Sequence, residues 1–406
     1  MKPLTESTSR RYELDWLRVL AVLGVFLYHT ARFFNLGDWH VKNTVRLPAL
    51  ELPLKIFEIW GMPLLFVISG AGIFASLSRR GAGSFVSSRV RRLFIPLLVG
   101  IFSHCAWQVY LERTSHGVFQ GSFLDFLPQY FRGSYAFGGN FAWIGLHLWY
   151  LEVLFVFSLI FLPLFVFLSR GRGGRFLQKA AGFLAFPGGA YALAIPVMLL
   201  LALTRPDTPW TARMFGGWSL AAFVLLLGNG FILVSNERLY KGVRALRWPS
   251  LLLALGTTWI LALEFSRSGE PVYATASYAR TMALFGFCAW SWVLAAIGLA
   301  GQYLRRAGRF LGYAGEAALP FYILHQTVML TIGIVVVRWP LPIFLKWAEI
   351  AAASLLVCLT LYEFLIRRSS VLRLLFGMNP RVRLVLAKQR NSPGTYPRVE
   401  SVEISQ

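Results

Sequence analysis

Arg18 and His29 are the first residues in this chain whose types and spacing suit chemistry. Both belong to one apolar run, Trp16 to Phe34, which opens as Asp15-Trp-Leu-Arg18. Eleven positions separate them, so at about 100° per residue a helix returns both side chains to within ~20° of one face. The rise between them is roughly 16 Å. Imidazole changes charge near neutral pH and serves as general base or nucleophile in group transfer. Ionisable groups inside a spanning run are costly, and a plain anchor has no use for them. A buried histidine that hydrogen-bonds a neighbouring helix would also account for His29. The in-phase Arg18 and the nearby Asp15 weigh toward function.

Arg89 and Arg92 are three apart and share a face on a helix leading into the third apolar run. With Arg18 and Arg91 they make a cationic cluster, and guanidinium forks grip phosphate oxygens in pairs. Topology alone explains most of the arginines, and taken singly Arg79, Arg80 and Arg91 among them. Glu152 stands one turn into an otherwise apolar span, after His147 and Trp149. It reads as an acceptor-binding or proton-handling carboxylate, or as an interfacial residue facing water. His325, in Pro320-Phe-Tyr322-Ile-Leu-His325, packs or orients at least as readily as it reacts. Ser69-Gly70 most simply allows close helix approach. The aromatic residues of 111–146 suit either a sugar-stacking platform or an interfacial belt. Cys105, Cys288 and Cys358 fall in apolar runs without pairing or metal spacing, so they read as packing residues, and no metal site is expected.

The elements that must position these groups are membrane helices. The 406 residues are 56% hydrophobic, mean hydropathy is +0.58, and runs of about 20 apolar residues recur. The fold class expected is an all-α polytopic bundle of about ten transmembrane helices. Spans are expected near 16–34, 52–77, 93–110, 147–168, 181–203, 217–235, 249–265, 281–300, 317–337 and 342–366. A net charge of +22 would suggest nucleic acid in a soluble chain. Here the cations lie between spans and alternate by loop, rich then poor, which places both termini in the cytoplasm. The same alternation turns the loop 111–146 outward. Residues 1–13 form a cytoplasmic arm, 14–378 the membrane domain, and 379–406 a disordered basic tail. The first span is longer than a signal peptide's apolar core and is expected to stay uncleaved.

Taken in order, these residues resemble the acyltransferase-3 family of integral membrane O-acyltransferases, over roughly residues 11–378. The most specific match is a basic residue followed, after ten positions, by histidine in the first helix: Arg18 and His29. The second is Arg-x-x-Arg before the third helix, at Arg89 and Arg92. Looser matches are Phe66-Val-Ile-Ser69-Gly70, Trp149-Tyr-Leu-Glu152 and Tyr322-Ile-Leu-His325. The fourth span departs from the longer Ser-Leu-x-x-Glu-Glu pattern of some members and keeps only Glu152. Within the family the chain is similar to the branch that succinylates periplasmic glucans.

The resemblance implies an acyl-CoA co-substrate, acetyl-CoA or succinyl-CoA, reached from the cytoplasm, with no bound cofactor. It implies a carbohydrate or surface-glycan acceptor on the far side of the cell inner membrane. His29 and Glu152 are then the catalytic candidates, and Arg18, Arg89 and Arg92 the donor-binding ones. Asp15, Ser69, His147, Trp149, Tyr322 and His325 support them. A pantetheine arm of about 15–20 Å matches the rise from Arg18 to His29. His29 either takes the proton of a sugar hydroxyl or forms an acyl-imidazole. A succinyl donor would favour a cation near the reaction centre, and Arg32 is three residues from His29. The competing class is a transporter or flippase of a lipid-linked or small anionic substrate, although inverted repeats are not apparent.

Overall fold

The computed structural model describes residues 10–379, and its regular elements are helices. Most of the arm 1–13 and nearly all of the tail 379–406 lie outside the described residues. Six helices are long and apolar enough to cross a bilayer: Tyr12–Ala31, Pro48–Leu77, Arg247–Ser268, Ala276–Tyr303, Arg309–Val336 and Ile343–Ile366. Three bent pairs raise the number to nine if each is one span. They are Ala82–Phe102 with His104–Ser115, Leu146–Ile160 with Leu162–Ser169, and Leu220–Ser235 with Glu237–Ala245. The expected span at 181–203 is instead an amphipathic helix, Gly171–Phe183, followed by the short apolar Gly189–Leu203.

Local chemistry sets the breaks. The first helix, Tyr12–Ala31, carries Glu13 and Asp15 in its first turn, where carboxylates suit the positive end of the helix dipole. Asn236 leaves helical geometry and caps the following helix through the backbone amides of Arg238 and Leu239, producing a 102° bend. Between Val90 and Phe94 the third span makes one π-helical turn, so Arg92 is displaced from the α-helical register that Arg89 begins. Pro63 and Pro320 lie inside spanning helices, which packed neighbours permit in membranes.

The contact between helices 51–77 and 220–235 is the closest approach that the site depends on. A Cβ on Gly70 would lie 1.9 Å from the Leu227 carbonyl oxygen, and one on Gly230 would lie 1.9 Å from that of Val67. The two backbones touch because neither position has a side chain. This contact seats Phe66 against Phe223, ring centroids 4.1 Å apart, and fixes the rotation of Ser69. Gly230→Ala is expected to destabilise the fold by about 1–3 kcal/mol. Gly228→Ala, which meets open space, should leave stability unchanged. Thermal unfolding of both variants in detergent checks the difference.

Candidate active site

Four of the residues singled out by sequence converge on one small cavity of ≈ 70 Å³: His29, His147, Trp149 and Tyr322. His325 lies directly behind it. His29 Nδ1 is 2.9 Å from His325 Nε2, and His325 Nδ1 is 2.7 Å from the Tyr322 carbonyl oxygen. A carbonyl only accepts, so His325 carries its proton on Nδ1 and offers a lone pair at Nε2. His29 must then donate from Nδ1, which leaves its Nε2 as a free lone pair on a ring that lines the cavity. The rings lie nearly parallel, 6° apart with centroids at 5.2 Å. Phe321 and Phe26 flank His325 and hold its orientation.

His147 is locked from both sides. Its Nε2 donates to the Ile323 carbonyl at 3.1 Å, and the His147 carbonyl accepts from the Tyr322 hydroxyl. Its Nδ1 is buried without a hydrogen-bond partner, a lone pair that a ligand N–H would satisfy. Trp149 stacks on Phe66 and Phe223, the pair set by the glycine contact. Over the far end of His29 lies Trp39, 6.0 Å away and nearly parallel. Lys42 fastens that loop by donating to the carbonyls of Arg32 and Asn35 and to the Asn35 side chain. Burial, with the cations of Arg32 and Arg46 beside it, pulls the Lys42 ammonium down to about 8.

At the other end of the first helix, Arg18 and Arg92 line a larger vestibule of ≈ 350 Å³ with Arg10, Arg373, Asp15 and Glu316. Asp15 accepts from both Arg10 and Arg18, at 2.8 and 3.2 Å. Glu316 accepts from Arg373 at 2.7 Å. Arg92 has no carboxylate partner among the described residues. Arginines outnumber acids four to two, so the vestibule keeps a positive excess. Arg89 does not line it. Its guanidinium turns inward over the Phe85 ring, 4.7 Å from the centroid, within electrostatic reach of Arg18, Arg92 and Tyr150. Tyr150 in turn bonds Ser69 at 2.6 Å, and its ring is 6.1 Å from that of Tyr322. Polar groups therefore run from the vestibule through Tyr150 and Ser69 to the histidines.

Glu152 lies apart from the histidines. It is absent from the residues around the histidine cavity, and its Oε2 is buried with no hydrogen-bond partner. The acid in the cavity is Glu58, whose Oε1 accepts from the Tyr28 hydroxyl at 2.6 Å. Glu58 was legible as a carboxylate inside the second span, and Tyr150 as the residue inside Trp149-Tyr-Leu-Glu152. Arg32 is bonded to the Asp38 carbonyl and does not line the cavity either. His104, likewise unremarked in the sequence, has a buried Nε2 without a partner and a ring 6.3 Å from that of His147.

A family model for the acyltransferase domain of acyltransferase 3 proteins matches residues 11–363. The chain belongs to that family and is a multi-pass membrane acyltransferase. Enzyme therefore prevails over transporter. No curated protein and no solved structure matches the chain. Tyr322→Phe would leave the buried His147 carbonyl without the hydroxyl donor that it has here. A loss of about 1–3 kcal/mol is expected, read as a lower melting temperature, together with reduced turnover as His147 loses its anchor.

Proposed function

We propose that the protein transfers a short acyl group from acyl-CoA to a hydroxyl of an exported carbohydrate or surface glycan in the inner membrane. The observation that carries this reading is the unshared Nε2 of His29 in a cavity that polar residues link to an arginine vestibule. The alternating loop charge supports a cytoplasmic vestibule. There Arg18 and Arg92 take the phosphates of the donor, with Arg89 further in. The pantetheine arm passes Tyr150 and Ser69, and an amide N–H of that arm suits the unpaired Nδ1 of His147.

At the cavity, His29 Nε2 removes the proton of the acceptor hydroxyl as its oxygen attacks the thioester carbonyl. The C–O bond forms, the tetrahedral adduct collapses, and the C–S bond breaks. The leaving thiolate takes the proton back from the imidazolium, so His29 returns to its starting tautomer. His325 accepts the Nδ1–H of His29 throughout, and its lone pair stabilises the transient cation. Glu152 takes no part in this sequence. The cavity is lined by one carboxylate, Glu58, and by no lysine or arginine. This favours an uncharged acyl group, acetyl, over succinyl, and so speaks against the glucan-succinylating branch.

Purified protein in detergent should release free CoA from acetyl-CoA only when acceptor is present, and more slowly from succinyl-CoA. His29→Ala and His29→Gln are each expected to lower transfer by about 10²–10⁴-fold. Arg92→Ala should raise the donor KM and leave kcat nearly unchanged. Full transfer by both His29 variants would overturn the assignment of the base. Mass spectrometry of surface glycans from cells carrying His29→Ala identifies the acceptor by its missing acyl group.

A further inference from the structure

A groove of ≈ 490 Å³ opens beside the start of helix 51–77, where Glu51 bonds Asn35. That is the His29 end of the first helix, opposite the arginine vestibule. Its walls are apolar, built by Ile56, Leu261, Ala262, Phe265 and Phe285. Its charged residues include Lys55, Arg213 and Glu270. One residue, Glu58, lines both this groove and the histidine cavity. The backbone of Glu58 is held by the Trp218 indole, which donates to its carbonyl at 2.9 Å and packs beside Phe285. Its Oε1 takes the Tyr28 hydroxyl, and Oε2 has no hydrogen-bond partner among the described residues.

A carboxylate oxygen with free lone pairs accepts hydroxyls, which are what a sugar presents. Apolar walls hold nothing of a sugar, and charged side chains hold nothing of a hydrocarbon. Both occur in one groove of ordinary ligand-site size. We propose that this groove is the acceptor site and that its ligand is a carbohydrate carried on an alkyl tail. The tail lies along the wall formed with helix 247–268, and the sugar reaches Glu58 and the cavity of His29. The assignment of the groove as an acceptor site rests on the transferase reading above. Its preference for an alkyl glycoside can be measured apart from turnover.

The test uses the full chain in lipid nanodiscs with acetyl-CoA and two probes, methyl and octyl β-D-glucoside. The octyl compound is expected to show a kcat/KM more than about tenfold higher, since its tail leaves water. Ala262→Trp, which fills the groove, should bring the octyl-to-methyl ratio close to one. Leu252→Trp, on the exposed side of the same helix, should leave the ratio as it was. Glu58→Gln should lower kcat/KM about tenfold for both probes alike. Equal kinetics for the two glucosides, or a ratio indifferent to Ala262→Trp, would overturn the proposal.

A photoactivatable diazirine in the octyl tail gives the readout that needs no turnover. Labelling confined to the peptide around Ala262, and lost in Ala262→Trp, supports the groove even if no acetyl is transferred; that failure would count against the reaction alone. Even labelling of all lipid-facing helices, the result if bulk phospholipid fills the groove, would overturn it.

Discussion

The site depends on one hydrogen bond between two imidazoles. His29 and His325 come from helices nearly three hundred positions apart in the chain, and their nitrogens meet at 2.9 Å. Either ring could donate, and the pair alone is indifferent to which does. The Tyr322 carbonyl removes the ambiguity, because it accepts the Nδ1–H of His325 and so commits His325 Nε2 to accepting. The direction of that bond then leaves the Nε2 lone pair of His29 unshared on a ring that lines the cavity. A backbone carbonyl three residues before His325 thus sets which nitrogen of His29 is left unshared.

Charge is separated along the bundle in a way that suits a reaction between ligands arriving from opposite ends. The arginines gather around Asp15 and Glu316 at one end of the first helix. The carboxylate of Glu58 stands at the other, against the His29 cavity. Inward of Arg89, the polar groups leading to the cavity are neutral, the hydroxyls of Tyr150, Ser69 and Tyr322. Neutral hydroxyls cross a low-dielectric interior at far smaller cost than ions. The anionic headgroup of the donor proposed above would be held where charge is solvated, and only its uncharged arm would travel inward.

Much of this frame was legible in the residues alone. Helical phase brings Arg18 and His29 to one face, and the unbroken helix Tyr12–Ala31 bears that out. The small pair Ser69-Gly70 implied close packing, and Gly70 does meet the Leu227 carbonyl. His325, read as an orienting residue as readily as a reactive one, is hydrogen-bonded to His29. Glu152 does not line the His29 cavity, for a definite reason. Its depth in the span was readable, but whether its side chain reaches the cavity depends on how its helix is rotated against its neighbours.

What the amino-acid order determined by itself is whatever rests on local periodicity: the apolar runs, the spacing of Arg18 and His29, the family motifs and the alternation of loop charge. Tertiary structure alone decided which distant residues face His29, and it chose His325, His147, Tyr322 and Glu58. Rotation of one helix against another is fixed by close contacts such as Gly70 on Leu227 and by long-range bonds such as Tyr322 to His147. Those contacts join positions far apart in the chain, so no window of sequence contains them.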